Sequence, residues 1–124
     1  MQPRFYAFDM NGVVVKRLHP FVSEAASLVE PNPPVVEAIR RLKAQGHVII
    51  LFSTIGANLV RRFCDAHDIP YDYVNENPRY PNTNPGKPVA TVYVDDRAVC
   101  YRGQSADELV EELNAFTPYR PDVA

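Results

Sequence analysis

His47-Val48-Ile49-Ile50-Leu51-Phe52-Ser53 (HVIILFS) decides the fold class. Five consecutive apolar side chains with no polar alternation are the pattern of a strand covered on both faces, as in a parallel sheet. Upstream, Asn32 is set to cap a helix with Pro33 in its first turn. Val35, Ile39 and Leu42 form that helix's apolar stripe and Gly46 closes it. Downstream, Ile55–His67 carries Leu59, Val60 and Phe63 at helical spacing. Arg4–Asp9 (RFYAFD), Tyr71–Val74 and Thr91–Asp95 (TVYVD) read as further short strands. Ser105-Ala-Asp-Glu108 is a capping box, and the Leu109, Leu113 and Phe116 that follow are expected to be core. Strand, helix, strand, helix, strand, strand, helix predicts a single three-layer, Rossmann-like α/β domain over 1–124 with a mainly parallel sheet.

The 124 residues match one ordinary domain. Thirteen Lys and Arg against 15 Asp and Glu give a net charge of −2, with no footprint for nucleic acid or an anionic membrane. Two cysteines, Cys64 and Cys100, make neither a disulfide framework nor a zinc motif; Cys64 is expected to pack in the core. No stretch approaches the ~20 apolar residues of a membrane span, and the N-terminus lacks a signal-peptide plan. A cytoplasmic location is the expectation. Proline is abundant at 12 residues, about twice the usual share of roughly 5%. The prolines avoid 35–69 and 89–117 and gather in two long connections, 10–32 and 75–88, which read as rims of a binding site.

The polar residues that end the apolar runs form a pattern. Asp9 ends the first, Ser53-Thr54 the second and Asp95-Asp96 the fourth, with Lys87 just before that last strand. Parallel strands share a carboxyl edge, where ligands bind in open α/β sheets, so these residues are expected to meet in one crevice. Crowded carboxylates repel unless a cation sits among them, and an all-oxygen ligand set favours Mg²⁺. A carboxylate is also a competent nucleophile for phosphorus, provided that metal and lysine offset the charge of the phosphate. A Ser hydroxyl and free backbone N–H groups at a helix start then hold phosphoryl oxygens. Gly12 permits a sharp turn and close backbone approach after Asp9.

In this order, Asp9-Met-Asn-Gly-Val, the strand ending in Ser53-Thr54, Lys87 and Val-Asp95-Asp96-Arg97 resemble the four motifs of the haloacid dehalogenase (HAD) superfamily. The resemblance spans residues 4 to about 102. It is closest to small capless phosphatase-like members linked to polysaccharide biosynthesis. It implies a capless HAD-like domain in which Asp9 is the nucleophile that becomes an aspartyl-phosphate. The Asn11 backbone carbonyl, Asp9 and Asp96 would ligate Mg²⁺, with Asp95 second or through water. Ser53, Thr54 and Gly12 would bind phosphate, and Lys87 would neutralise Asp9 and phosphate. A two-component receiver domain uses similar residues, but there the lysine follows the others; Lys87 before the acidic pair argues against it.

The sequence departs from the family pattern at position 11, where the phosphatases usually carry a general-acid Asp. Asn11 can ligate and hydrogen-bond but cannot exchange a proton near neutral pH. Three readings follow: a slow or selective phosphatase, a protein with a longer-lived aspartyl-phosphate, or a degenerate member that binds Mg²⁺ and a phosphorylated ligand or partner without turnover. The expected partner is a small phosphorylated substrate. With no cap, oligomerisation is one way to supply walls to the site. His19, His47 and His67 sit apart and none reads as catalytic, although His19 lies in the first long connection. Arg79 and Tyr80, in the second, are candidates for substrate contact or, for Tyr80, a packing anchor.

Overall fold

The apolar run at 48–52 lies inside a four-stranded, all-parallel sheet in the computed structural model, which describes residues 2–15, 30–54, 56–81 and 87–119. The elements follow in the expected order: β1 (Phe5–Asp9), α1 (Pro33–Ala44), β2 (Val48–Phe52), α2 (Ala57–Ala66), β3 (Tyr73–Val74), β4 (Val92–Val94) and α3 (Ala106–Ala115). The strand order β3-β2-β1-β4 leaves β1 and β2 as the inner strands. β1 pairs with β2 from Phe5↔Val48 to Asp9↔Phe52, and with β4 from Tyr6↔Val92 to Phe8↔Val94. The Thr91 N–H donates to the Phe5 carbonyl at 2.7 Å and the Phe5 N–H to Thr91 Oγ1 at 3.0 Å, fixing where β4 begins.

Three helices flank the sheet. Side chains alternate across a strand, so Phe8, Ile49, Leu51 and Val74 face one side. There they meet Val36 and Ile39 of α1 and Val60, Phe63 and Cys64 of α2 in one buried cluster. Cys64 is core, as its sequence context predicts. The buried stripe of α1 is Val36 and Ile39, with Val35 and Leu42 on its flanks, one position round from the expected stripe.

On the opposite face Ala7 and Ile50 are fully buried. β2 and β4 are separated there by β1, roughly two spacings of ~4.8 Å. Because Ala7 between them is small, the Phe52 and Tyr93 rings meet edge to face across it, with centroids 6.2 Å apart. Asn77, Pro88 and Val89 lie on this face. Buried Asn77 donates to the Val89 carbonyl at 2.8 Å and accepts the Arg79 N–H at 3.1 Å. The Tyr93 hydroxyl donates to the Pro88 carbonyl at 2.7 Å.

Three sequence expectations are corrected. The capping box of α3 is present, with Ser105 and Glu108 exchanging hydrogen bonds. Yet α3 buries no residue, and Leu113, expected in the core, is 52% exposed; Leu109 and Phe116 are half-buried. Among the described residues, no strand or helix packs extensively against its apolar stripe. The start of the first long connection is core rather than rim: Met10, Val13, Val14 and Val15 are buried and follow β1 in a tight turn. Asn32 starts α1, but its side chain makes no cap bond. The carboxamide instead donates to the Val13 carbonyl at 2.9 Å, and the Asn32 N–H donates to the Val14 carbonyl at 2.8 Å. Asn32 thus ties that turn to the helix, and only its carbonyl serves the first helical N–H groups.

His47 is a satisfied core histidine: its Nδ1 accepts the Arg4 N–H at 3.1 Å and its ring packs against Tyr6. No helix among the described residues is long and apolar enough to cross a membrane.

Candidate functional site

The carboxyl edge of the sheet gathers residues far apart in sequence. Asp9 is the last residue of β1, and its Oδ1 accepts the Met10 N–H at 2.9 Å. The chain then turns sharply. Gly12 has φ +82°, a left-handed backbone that a β-carbon disfavours, and its N–H donates to the Val15 carbonyl at 3.1 Å. This turn brings Asn11 beside Asp9. The Asn11 side-chain oxygen is shielded from solvent and accepts no hydrogen bond.

Ser53 and Thr54 leave β2 next to Asp9. The Ser53 N–H donates to Asn75 Oδ1 at 2.8 Å, and the Asn75 N–H donates to the Leu51 carbonyl at 2.8 Å. Asn75 itself has φ +58°, a conformation that Asn tolerates better than most residues. Asp95 and Asp96 follow β4 on the other flank of Asp9. Asp95 Oδ1 accepts the Arg97 N–H at 2.8 Å, closing a turn that fixes the acidic pair. Both carboxylate oxygens of Asp96 are shielded from solvent.

Asp9, Asp95 and Asp96 each bring a carboxylate oxygen within 4.8 Å of the others. Burial of Asp9, with the charges of Asp95 and Asp96 beside it, pushes its carboxyl up to about 7, against the partial relief of the Met10 N–H. Such a cluster could hold a metal ion. The residues fit one. The donors are all oxygen, which suits a hard divalent cation, and the buried Asn11 oxygen beside them has no donor of its own.

A cleft of about 560 Å³ opens over this edge, lined by Asp9, Asn11, Phe52, Ser53, Thr54, Asp95 and Arg97. Asp96 and Gly12 instead border a smaller cavity of about 230 Å³, together with Asp95, Asn32 and Tyr119. Of the residues singled out in the sequence, Asp9, Asn11, Ser53, Thr54 and Asp95 thus share the cleft, with Asp96 joined to it through the carboxylate cluster. Lys87 does not line it: its ammonium lies 5.0 Å from the centre of the Tyr93 ring, a cation–π contact. Arg79 and Tyr80 pack on Phe5, at the opposite edge of the sheet from the cleft. His19 lies outside the described residues.

Three contributors have no role in the sequence reading. Arg97 lines the cleft, and its place directly after the acidic pair is a signal in plain view. Phe52 forms a wall, foreshadowed as the last apolar residue before Ser53. Asn75 positions Ser53, and only its place just after a short strand hints at it.

Fold and site together define an all-parallel α/β domain with an acidic cleft at its carboxyl edge. No protein-family model matches the chain, and no curated protein matches it. Solved structures do. A conserved protein from Bacteroides thetaiotaomicron is 23% identical with a TM-score of 0.61, over 91% of this chain and 90% of that one. A chain of the Pnkp1/Rnl/Hen1 RNA repair complex is 22% identical with a TM-score of 0.59, over 90% of this chain but 40% of its own length. A protein from Vibrio cholerae is 19% identical with a TM-score of 0.50, over 90% of this chain and 97% of that one. These likenesses establish the fold.

Proposed function

We propose that the protein is a Mg²⁺-dependent phosphoryl-transfer enzyme of the HAD type, a phosphatase acting on a small or exposed phosphomonoester through Asp9. The observation that carries this reading is the cluster of Asp9, Asp95 and Asp96 oxygens within 4.8 Å, at the mouth of a cleft that also holds Ser53 and Thr54. Three carboxylates at that distance repel, and burial together with that repulsion raises the proton affinity of Asp9. Asp9, Asp95 and Asp96 would hold the ion, joined by an oxygen of Asn11. Mg²⁺ supplies charge neutralisation between the carboxylates and an incoming phosphate dianion.

In this reading Asp9 attacks phosphorus, the bond to the leaving oxygen breaks, and an aspartyl-phosphate forms. Ser53 and the backbone after it bind the phosphoryl oxygens, with Asn75 holding the Ser53 N–H in place. Lys87 adds positive charge once its side chain leaves Tyr93. Water then hydrolyses the acyl phosphate and restores Asp9. Neither the protonation of the leaving group nor the activation of water can use Asn11, so turnover is slow for alcohol esters and faster for aryl or acyl phosphates, which leave with less help. The net charge of −2 favours a small substrate over nucleic acid.

The deciding experiment incubates the protein with Mg²⁺ and a panel of phosphoesters, with Asp9→Asn as blank. Phosphate release, together with a hydroxylamine-sensitive phosphoryl label on Asp9, is expected. Saturable Mg²⁺-dependent binding of phosphoesters with neither release nor label would instead make the protein a silent phosphate binder.

A further inference from the structure

Arg97 stands apart from the other arginines. Arg4 and Arg79 lie over aromatic rings. Arg40 donates to the His67 and Asp68 carbonyls, Arg41 pairs with Glu37, Arg61 reaches Asn58 and Arg102 pairs with Glu112. Arg62 is exposed on α2. Among the described arginines Arg97 alone lines the cleft, and its backbone is pinned there by Asp95. It directly follows the acidic pair, yet among the described residues its guanidinium makes no ion pair. An exposed arginine whose backbone is fixed at the cleft is available to a ligand.

Its position says which part of a ligand. Ser53 and Thr54 follow β2 and Arg97 follows β4, with Asp9 of β1 between them. The two walls therefore stand roughly two strand spacings of ~4.8 Å apart, wider than one phosphoryl group. The cleft volume of about 560 Å³ likewise exceeds what a single phosphate fills. A phosphoryl group held against Asp9 and Ser53 leaves the Arg97 wall for the rest of the molecule.

We infer that Arg97 recognises a second anionic group of the substrate, so that the preferred substrates are phosphomonoesters that also carry a carboxylate or another phosphate. The planar fork of arginine suits either group, bidentate and charge-assisted. This rests on the phosphoryl-transfer reading for the seat of the first phosphate, but its test needs no turnover.

The test is calorimetric binding, with Mg²⁺ present, of three non-hydrolysable probes: phenylphosphonate, 4-carboxyphenylphosphonate and 1,4-phenylenebisphosphonate. The two doubly functional probes are expected to bind about tenfold or more tightly than phenylphosphonate, the range of a charge-assisted bidentate pair. Whichever gains more names the second group as carboxylate or phosphate. In Arg97→Gln that ratio collapses to within about twofold of one, and Arg97→Lys retains part of it. A wild-type ratio near one, or an Arg97→Gln protein that weakens all three probes equally, overturns the inference and leaves the phosphatase reading intact. Failure of all three to bind overturns both. Binding with the expected ratio, but no phosphoryl label on Asp9, upholds the inference and sinks the turnover reading.

Discussion

Asn75 Oδ1 accepts the backbone N–H of Ser53 at 2.8 Å, bolting the end of β2 to the residue that follows β3. The bond freezes the cleft wall at Ser53, and it depends on a residue held at φ +58°. Asn75→Ala loses the bond and meets left-handed strain, and is expected to lower stability by about 1–3 kcal/mol in urea unfolding. Asn75→Gly relieves the strain but not the lost bond. It should recover part of the stability while oxyanion binding stays weakened. Full recovery of both would show that Asn75 serves the backbone alone.

Asp9 gives the protein a pH signature. Its carboxyl is raised to about 7 by burial and by Asp95 and Asp96, so the folded protein holds that proton more tightly than the unfolded chain does. Stability without divalent cation therefore falls as pH rises from about 4 through 7, the reverse of a salt-bridged aspartate. Thermal melts from pH 5 to 8 are expected to slope downward, and Asp9→Asn to flatten the slope. Mg²⁺ competes with the proton, so its affinity should rise over the same interval. A Mg²⁺ affinity independent of pH would rule out Asp9 as a ligand.

On the proposed mechanism, Asn11 limits the rate. Restoring a proton donor by Asn11→Asp is expected to speed Mg²⁺-dependent hydrolysis of p-nitrophenyl phosphate about tenfold or more, the low end for a general acid or base. The gain should be larger for esters of alcohols, whose leaving groups need the proton most. An unchanged rate, with Asp9→Asn still inactive, would mean that proton transfer does not limit turnover.

Stability should be uneven between helices. Phe63 is wholly buried among α1, α2 and the sheet, and Phe63→Ala is expected to cost about 3–5 kcal/mol. Leu113→Ala on α3, half exposed, is expected to cost under about 1 kcal/mol. Equal losses in chemical denaturation would show that α3 belongs to the core after all.

These contrasts mark where the sequence was readable. The strands and the convergence of Asp9, Ser53 and the acidic pair follow from parallel-sheet geometry: each sits where an apolar run ends, and parallel runs end on one edge. α3 shows the limit of periodicity. Leu109, Leu113 and Phe116 repeat like a core stripe, but a stripe says which side is apolar and not whether anything covers it. Asn32 and Asn75 illustrate another. Their roles are long-range hydrogen bonds to Val13 and Ser53, invisible to local capping rules. Lys87 was read from its place in the chain, and chain order cannot reveal that a flexible ammonium rests on Tyr93. Val13 to Val15 looked like part of a loop because the connection is long, although three consecutive valines were already the composition of an interior.

The pairing of Phe5 with Thr91 joins residues 86 positions apart, and with it β1 gains its acidic neighbour. Contacts of such long range form late and slowly. During synthesis, a chain that stops short of Val92 has Asp9 on a strand with no facing carboxylate, and the part of its raised proton affinity that comes from Asp95 and Asp96 is missing. The cluster arises only when the beginning and the far end of the domain have met. A divalent ion held by that cluster would thus report that β4 has docked beside β1.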